Sequence, residues 1–223
     1  MDIQSDAPAT ALSTVRDAIA RSERIAGRPA GSTTLIAISK TKPVEAIEAL
    51  IEEGHRVFGE NRVQEAALKF PALRARYPDL QLHMVGQLQS NKAEDAVALF
   101  DCIHSLDRMS LARALAAAMD KAGRRVPCFV QVNIGEEEQK GGCAIADLPQ
   151  FLDQVRALDL PVVGLMAVPP ADLEPSPYFA LLAKLARAHG LDQLSMGMSG
   201  DYENAVRIGA THVRVGSALF GSR

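Results

Sequence analysis

Tryptophan is absent from this 223-residue sequence, and cysteine is scarce, with three residues. Cys102, Cys128 and Cys143 are odd in number and lack the close spacing of metal-ligand motifs, so neither a disulfide framework nor a structural zinc is expected. Reduced thiols are typical of proteins that stay in the cytoplasm.

The sequence also lacks a signal peptide and a membrane span. The first six residues contain Asp2 and Asp6 where a signal peptide has basic residues, and no apolar segment follows them. No apolar run approaches the roughly 20 residues that a membrane-spanning helix needs. We therefore expect a cytoplasmic protein without membrane contact.

A strong charge of either sign is missing as well. The formal net charge is -3, and the Lys and Arg residues are scattered, so no basic stripe for nucleic acid is expected. Hydrophobic residues make up 48% and charged residues 23%, which is typical of a soluble globular protein. The length suffices for one large core.

Short apolar runs alternate with segments of helical periodicity along the chain. Strands are expected near residues 34–39, 56–58, 81–86, 102–106, 128–134, 162–168, 193–196 and 212–216. Helical patterns precede the first strand, at about 11–26, and follow each of the first seven, for instance at 44–53, 62–74, 108–121 and 178–189. This repeated alternation predicts parallel strand pairing.

Eight strands joined by helices predict a single α/β domain over residues 1–223, a closed (β/α)8 TIM barrel with an extra amino-terminal helix. Parallel strands buried on both faces are apolar almost throughout, as the run at 128–134 nearly is. An open doubly wound sheet is the alternative. It usually has a Gly-rich turn after its first strand, where this sequence has Lys-Thr-Lys-Pro.

Lys40 directly follows the first apolar run, in the motif Ser39-Lys40-Thr41-Lys42-Pro43. A lysine at the carboxyl end of a buried strand is desolvated, which favours the neutral, nucleophilic amine and hence Schiff-base chemistry. The alternative is a lysine whose ammonium simply reaches solvent. Lys42 competes as the reactive amine, but Pro43 places it past the strand in better-hydrated surroundings, so Lys40 is our candidate.

The loops after strands seven and eight have the composition of a phosphate site, which barrels often build there. Ser199 and Gly200 lie in the first loop. Gly216 and Ser217 lie in the second, so each loop supplies a glycine for close backbone approach and a hydroxyl donor. The alternative is that Ser199 or Asp201 only caps the helix that follows.

Arg214 stands between Val213 and Val215 in a strand that should be buried. An unpaired guanidinium there would be costly, so Arg214 needs a ligand or a carboxylate partner. In a closed barrel the last strand pairs with the first, which would bring Arg214 to the same rim as Lys40. The pair predicts an anionic, carbonyl-bearing ligand.

Two asparagines and a histidine near strands two and three have structural explanations. Asn61 with Gln64, and Asn91 with Glu94, show the spacing of capping boxes, which explains both asparagines without a ligand. His83 is expected to be a hydrogen-bonded core or rim histidine rather than a base.

Six ordered motifs, from about residue 12 to the end, resemble those of the pyridoxal phosphate homeostasis protein family. They are Ala37-Ile38-Ser39-Lys40-Thr41-Lys42-Pro43, Phe58-Gly59-Glu60-Asn61-Arg62-Val63-Gln64-Glu65, His83-Met84-Val85-Gly86-Gln87-Leu88-Gln89-Ser90-Asn91-Lys92, Gly164-Leu165-Met166-Ala167-Val168-Pro169, Leu194-Ser195-Met196-Gly197-Met198-Ser199 with Asp201, and Val213-Arg214-Val215-Gly216-Ser217-Ala218-Leu219-Phe220-Gly221. The chain departs from many members in a short stretch between Pro169 and Ser195. It also has Lys140-Gly141-Gly142-Cys143 where the family often has Lys-Ser-Gly followed by an apolar residue.

This resemblance implies a barrel like the amino-terminal domain of alanine racemase that binds pyridoxal 5'-phosphate (PLP). By the same resemblance Lys40 forms the Schiff base with PLP and Arg214 faces the pyridine nitrogen. The other cofactor-binding residues would be Asn61, Met198, Ser199, Gly200, Gly216 and Ser217, of which Ser199, Gly200, Gly216 and Ser217 would hold the phosphate.

The implied function is that of a non-catalytic carrier for vitamin B6 homeostasis, which supplies PLP to apo-enzymes and is a monomer or weak dimer. An arginine at the pyridine nitrogen opposes the ring protonation from which amino-acid chemistry gains. The sequence also lacks a second domain with the tyrosine base of alanine racemase. A weak amino-acid racemase that uses Tyr202 and a PLP-independent Schiff-base lyase of a sugar phosphate are the alternatives.

Overall fold

A closed barrel of eight parallel strands forms the centre of the computed structural model, which describes residues 10–221. Each strand pairs with the next in sequence, and β8 pairs with β1, where Ile36 lies opposite Arg214. The strands are β1 Thr34–Ile38, β2 Val57–Glu60, β3 Gln81–Met84, β4 Cys102–Leu106, β5 Cys128–Gln131, β6 Val162–Met166, β7 Gln193–Met198 and β8 His212–Val215. The predicted barrel is therefore confirmed, and the open sheet is wrong.

Helices surround the barrel and follow every strand. They are α1 Ala11–Ile25, α2 Val44–Glu52, α3 Val63–Arg76, α4 Ala93–Leu99, α5 Met109–Ala122, α6 Leu148–Ala157, α7 Ser176–Ala188, α8 Tyr202–Ile208 and α9 Ser217–Phe220, with a 3-10 turn at Ser90–Lys92. Within residues 10–221, none of these helices has the length and apolar character needed to cross a membrane.

The amino-terminal helix α1 begins with a side-chain cap and packs on the outside of the barrel. Oγ1 of Thr10 accepts a hydrogen bond of 3.1 Å from the backbone N–H of Ser13, which satisfies one of the free amides of the first turn. Leu12, Val15 and Ile19 recur at helical spacing and are buried, and the helix packs against α8 and α9.

Several strand boundaries differ from the sequence expectation. β5 ends at Gln131 rather than at residue 134, because Val132 leaves the sheet and forms an isolated bridge with Cys143. β3 and β6 each end two residues early, at Met84 and Met166. β7 instead continues to Met198, so this residue is part of the strand rather than of the loop after it.

The core has two layers, one between the strands and the helices and one inside the barrel. The outer layer is apolar and includes the fully buried rings of Phe58, Phe70 and Phe179. Inside the barrel a small cluster of Cys102, Phe129 and Met166 lies among buried polar side chains. The polar interior residues include His83, His104, Ser195 and Arg214.

Candidate functional site

A cavity of about 510 Å³ lies at the end of the barrel where the strands terminate. Its wall is built by residues that end or follow β1, β2, β7 and β8. All eight residues singled out from the sequence line it, namely Lys40, Asn61, Met198, Ser199, Gly200, Arg214, Gly216 and Ser217. The fold thus brings the predicted residues to one place, while their individual contacts with a ligand stay a prediction.

The wall of this cavity carries only positive charge among the residues that the structure describes. Lys40, Lys42 and Arg214 line it, and no Asp or Glu does. A cleft with charges of one sign raises the local concentration of oppositely charged ligands. The cavity is therefore suited to an anion.

Lys40 and Lys42 have different environments although they are two residues apart. Nζ of Lys42 donates hydrogen bonds to the carbonyl oxygens of Phe220 and Gly221, at 3.1 and 3.4 Å. Nζ of Lys40 is half-buried at the cavity, and no partner within residues 10–221 is found for it. Contacts with these carbonyls, rather than the better hydration expected from the sequence, distinguish Lys42 from Lys40.

Ser199 connects the two loops that were expected to bind phosphate. Its Oγ accepts hydrogen bonds from the backbone N–H of Gly216 at 3.1 Å and of Ala218 at 3.4 Å. The residue at the N-cap of α8 is Asp201, which makes no side-chain capping bond and accepts one from the N–H of Met198 at 2.5 Å. Asp201 therefore occupies the N-cap position without a side-chain capping bond, and Ser199 is not the cap.

Arg214 is buried, with 6% of its surface exposed, and its partners are neutral. Nη1 donates to Oγ of Ser195 at 2.7 Å, and Nη2 donates to the carbonyl oxygen of Ala167 at 2.9 Å. Burial lowers the pKa of Arg214 to about 10, and the Asp201 carboxylate partly opposes that effect. The guanidinium remains charged at neutral pH, with no ion-pair partner within residues 10–221.

A chain of hydrogen bonds runs from Arg214 into the barrel. Oγ of Ser195 lies 2.8 Å from Nδ1 of His104, and Nε2 of His104 lies 2.9 Å from Nδ1 of His83. Because arginine can only donate, the Ser195 hydroxyl accepts from Arg214. Each of the next two bonds, from Ser195 to His104 and from His104 to His83, takes the direction that the tautomers of the two rings set.

Both histidines of this chain are neutral. Burial lowers the pKa of His83 to about 3, and the nearby His212 adds to the effect. Burial also lowers the pKa of His104 well below its ordinary value, and its neighbours His83, His212 and Arg214 act in the same direction. The prediction that His83 is a satisfied core histidine is confirmed, but its partners were not foreseen.

His83, Cys102 and His104 bring possible metal-ligand atoms within 4.8 Å of one another. Sequence spacing did not indicate this cluster, because its members come from two strands. Both ring nitrogens of His104 are engaged in hydrogen bonds. Burial raises the pKa of the Cys102 thiol, and Cys128 adds to the effect, so the thiol is protonated. The cluster is thus part of the hydrogen-bonded interior.

The predicted capping boxes at Asn61 and Asn91 do not form. The N-cap of α3 is Arg62 and that of α4 is Lys92, and neither makes a side-chain capping bond. The backbone of Asn61 instead lies in close contact with Gly86, where a Cβ atom would clash with the Asn61 carbonyl oxygen. Close approach of these two backbones keeps Asn61 at the cavity wall.

Tyr202, the residue considered as a base, begins α8 and does not line the cavity. It borders a neighbouring surface hollow with Glu203 and Arg207, and this hollow shares Ser199 and Gly200 with the cavity wall. Burial raises the pKa of its hydroxyl, to which the Glu203 carboxylate contributes. Its position agrees with the packing role expected from the sequence.

Comparison with curated proteins finds relatives over nearly the whole chain. A pyridoxal phosphate homeostasis protein of Pseudomonas aeruginosa is 39% identical over 227 residues, which cover 95% of this chain and 97% of the relative. The protein of that name from Escherichia coli is 37% identical, with 95% of each chain covered. The one from Synechocystis is 40% identical, with 91% of this chain and 96% of the relative covered.

Solved structures also match this chain over most of its length. PipY of Synechococcus elongatus with PLP bound matches with a TM-score of 0.79 and 40% identity, covering 91% of this chain and all of that one. Alanine racemase of Clostridium difficile, at 13% identity and a TM-score of 0.69, shares the fold over 93% of this chain and 56% of its own. Residues 12–223 match the family "Alanine racemase, N-terminal domain". This chain therefore belongs to the pyridoxal phosphate homeostasis proteins within the alanine racemase N-terminal domain family.

Proposed function

We propose that this protein binds PLP for intracellular vitamin B6 homeostasis, holds it as a Schiff base on Lys40, and supplies it to apo-enzymes. The observation that carries this proposal is the cavity wall, which presents three cations and no carboxylate within the described residues. Relatives at 37–40% identity named for PLP homeostasis, and PipY with PLP bound, support PLP as the anion.

The residues at the cavity fit the two chemical parts of PLP. PLP supplies an aldehyde, which condenses with an amine with loss of water, and a phosphate, which needs hydrogen-bond donors. Lys40 offers an amine that has no partner among residues 10–221. The loops joined by Ser199 offer hydroxyl groups and small residues at Gly200, Gly216 and Ser217. Asn61 and Met198 complete the proposed binding set.

Arg214 supports a carrier rather than an amino-acid enzyme. A carboxylate at the pyridine nitrogen would favour ring protonation and strengthen the ring as an electron sink. A charged guanidinium at that position opposes it. Arg214 is held by Ser195 and Ala167 and keeps its charge, which suits stable storage of the aldehyde.

Supply to apo-enzymes requires that the bound aldehyde can leave. Lys40 is half-buried and Met198, at the same cavity, is 38% exposed. A site on the open end of the barrel is accessible to water, which is the reactant that releases the aldehyde. We propose this transfer for a cytoplasmic monomer or weak dimer.

The test is borohydride reduction of the protein loaded with PLP, followed by peptide mass mapping, on the unaltered chain and on the matched variants Lys40→Met and Lys42→Met. We expect a yellow protein, a pyridoxyl label on Lys40, and loss of label in Lys40→Met alone. A colourless protein that takes up no PLP would overturn the proposal and favour a PLP-independent lyase.

Two other results would revise parts of the proposed function. A label on Lys42 would keep PLP binding and move the Schiff base. Turnover of an amino acid by the loaded protein, lost in Tyr202→Phe, would replace the carrier with a weak racemase.

A further inference from the structure

A buried ion-pair network from β2 and α3 lies behind the turn that carries Lys40. Nζ of Lys69, on α3, is 2.9 Å from Oε1 of Glu60 and 2.7 Å from Oε1 of Glu65. Glu60 is fully buried, and the side chain of Lys69 is 11% exposed. Oε1 of Glu60 also accepts a hydrogen bond of 2.7 Å from Oγ of Ser39. The network therefore reaches the residue before Lys40.

The same network binds the backbone on both sides of Lys40. Nζ of Lys69 donates to the carbonyl oxygens of Ser39 at 3.0 Å and Lys42 at 3.2 Å. Oε1 of Glu65 accepts the backbone N–H of Thr41 at 2.5 Å. Bonds to charged groups are stronger than neutral ones, so these contacts hold the turn firmly.

The turn needs such support because its backbone is unusual. Thr41 has a φ of 62°, in the left-handed region that a β-branched residue rarely adopts. A conformation of this kind persists only where the surroundings enforce it. Nζ of Lys40 has no hydrogen-bond partner among the described residues, so the backbone of the turn fixes where its side chain begins.

We propose that Lys69 is a positioning residue for Lys40. Its ammonium joins Glu60 and Glu65 to the turn and so directs the Lys40 amine into the cavity. This inference rests on the proposed function, because it concerns the amine that condenses with PLP.

The experiment mixes apo-protein with PLP and follows the rate at which the visible Schiff-base absorbance appears, across pH 6 to 9. The variants are Lys69→Met, which removes the ammonium and keeps the length, and Lys69→Arg, which restores a charged donor. Lys184→Met on the exposed face of α7 is the matched control. Borohydride mapping then gives the share of label on Lys40 and Lys42.

We expect Lys69→Met to form the Schiff base at least tenfold more slowly, with an altered pH profile and more label on Lys42. Lys69→Arg should recover part of the rate, and Lys184→Met should match the unaltered chain. Measurements are made well below the melting temperature of every apo-protein, so that unfolding does not contribute.

If Lys69→Met does not fold, Glu65→Ala serves instead, since it removes the bond to the Thr41 N–H and the Glu65–Lys69 ion pair but leaves the bonds of Lys69 to Glu60 and Ser39. Unchanged rate, profile and label in the variant that folds would overturn the proposal. Absence of label on any lysine of the unaltered chain would instead overturn the proposed function, so the two failures are distinguishable.

Discussion

The guanidinium of Arg214 donates a hydrogen bond of 2.7 Å to Oγ of Ser195, across the pairing of β7 with β8. This bond links the cavity wall to the polar interior of the barrel. The same Ser195 oxygen lies 2.8 Å from Nδ1 of His104, so Ser195 hydrogen-bonds to both the arginine and the histidine. Four properties of the protein can be tested from this site and its surroundings.

Ser195→Ala should destabilise the apo-protein by about 1–3 kcal/mol, because it leaves a buried guanidinium N–H and Nδ1 of His104 unpaired. The matched control is Ser105→Ala, which removes an equally buried hydroxyl that has no hydrogen-bond partner in the described structure. The control should change the free energy of unfolding by less than about 0.5 kcal/mol. Urea unfolding measures both, and equal effects would contradict the assigned chain.

Arg214→Met should weaken binding of PLP at least about tenfold, or about 1.4 kcal/mol, because the cavity loses a buried charge that has no carboxylate partner. Arg207→Met, on the exposed part of α8, is the control and should bind normally. Equilibrium titration at two salt concentrations measures the dissociation constants. Unchanged affinity in Arg214→Met would show that the charge does not act on the ligand.

Gly197→Ala should destabilise the protein by at least about 2 kcal/mol, through backbone strain and overpacking. Gly197 has a φ of 94°, and a Cβ atom there would lie 2.6 Å from Cβ of Ala205. Gly200→Ala is the control three residues away, because its Cβ meets nothing within 4 Å and its φ is not positive. Thermal unfolding of the two variants should differ clearly, and similar melting temperatures would contradict the backbone geometry at the end of β7.

Buried neutral histidines should make the protein less stable as the pH falls from about 6.5 to 4. Burial lowers the pKa of His55 and His212 to about 4 and of His83 to about 3. The unfolded chain then binds more protons in this window, so the free energy of unfolding decreases by about 1.4 kcal/mol per pH unit for each group. Above the unfolded pKa these histidines make no pH-dependent contribution.

His55→Gln isolates one of these groups. Its Nε2 lies 2.7 Å from the carbonyl oxygen of Val57, and Arg16 donates to Nδ1 at 3.5 Å, so the neutral ring is satisfied on both sides. Burial raises the pKa of Glu60, so this carboxyl group makes the free energy of unfolding decrease as the pH rises, opposite to the histidines. The effect is the same in the unaltered protein and in the His55→Gln variant. Urea unfolding at pH 7.5, 6 and 5 should show a shallower slope in the variant; parallel slopes would mean that His55 is protonated when folded.

Much of the fold followed from local patterns in the sequence. Alternating apolar runs and helical periodicity predicted the eight strands and their parallel order, because these signals depend on residues close together in the chain. The strand ends were less predictable. β5 stops at Gln131 because Val132 pairs with Cys143, a contact that no local pattern contains.

Asn61 shows the same limit of local sequence patterns at the cavity. Asn61 and Gln64 have the spacing of a capping box, yet Arg62 occupies the N-cap of α3. Close contact of Gly86 with the Asn61 backbone sets the position of Asn61 instead. The two residues follow different strands, β2 and β3. A motif that depends on spacing alone cannot include such a neighbour.

The sequence by itself determined the barrel, the place of Lys40 after β1, and the small-residue loops after β7 and β8, because the order of strands and helices follows from local hydrophobic spacing. Only the tertiary structure decided the partners of these groups. His104 and Ser195, whose hydrogen bond belongs to the chain from Arg214, are 91 residues apart. Lys42 and Phe220 are 178 apart. Closure of the barrel brings such residues within hydrogen-bond distance, and burial then keeps His104 neutral.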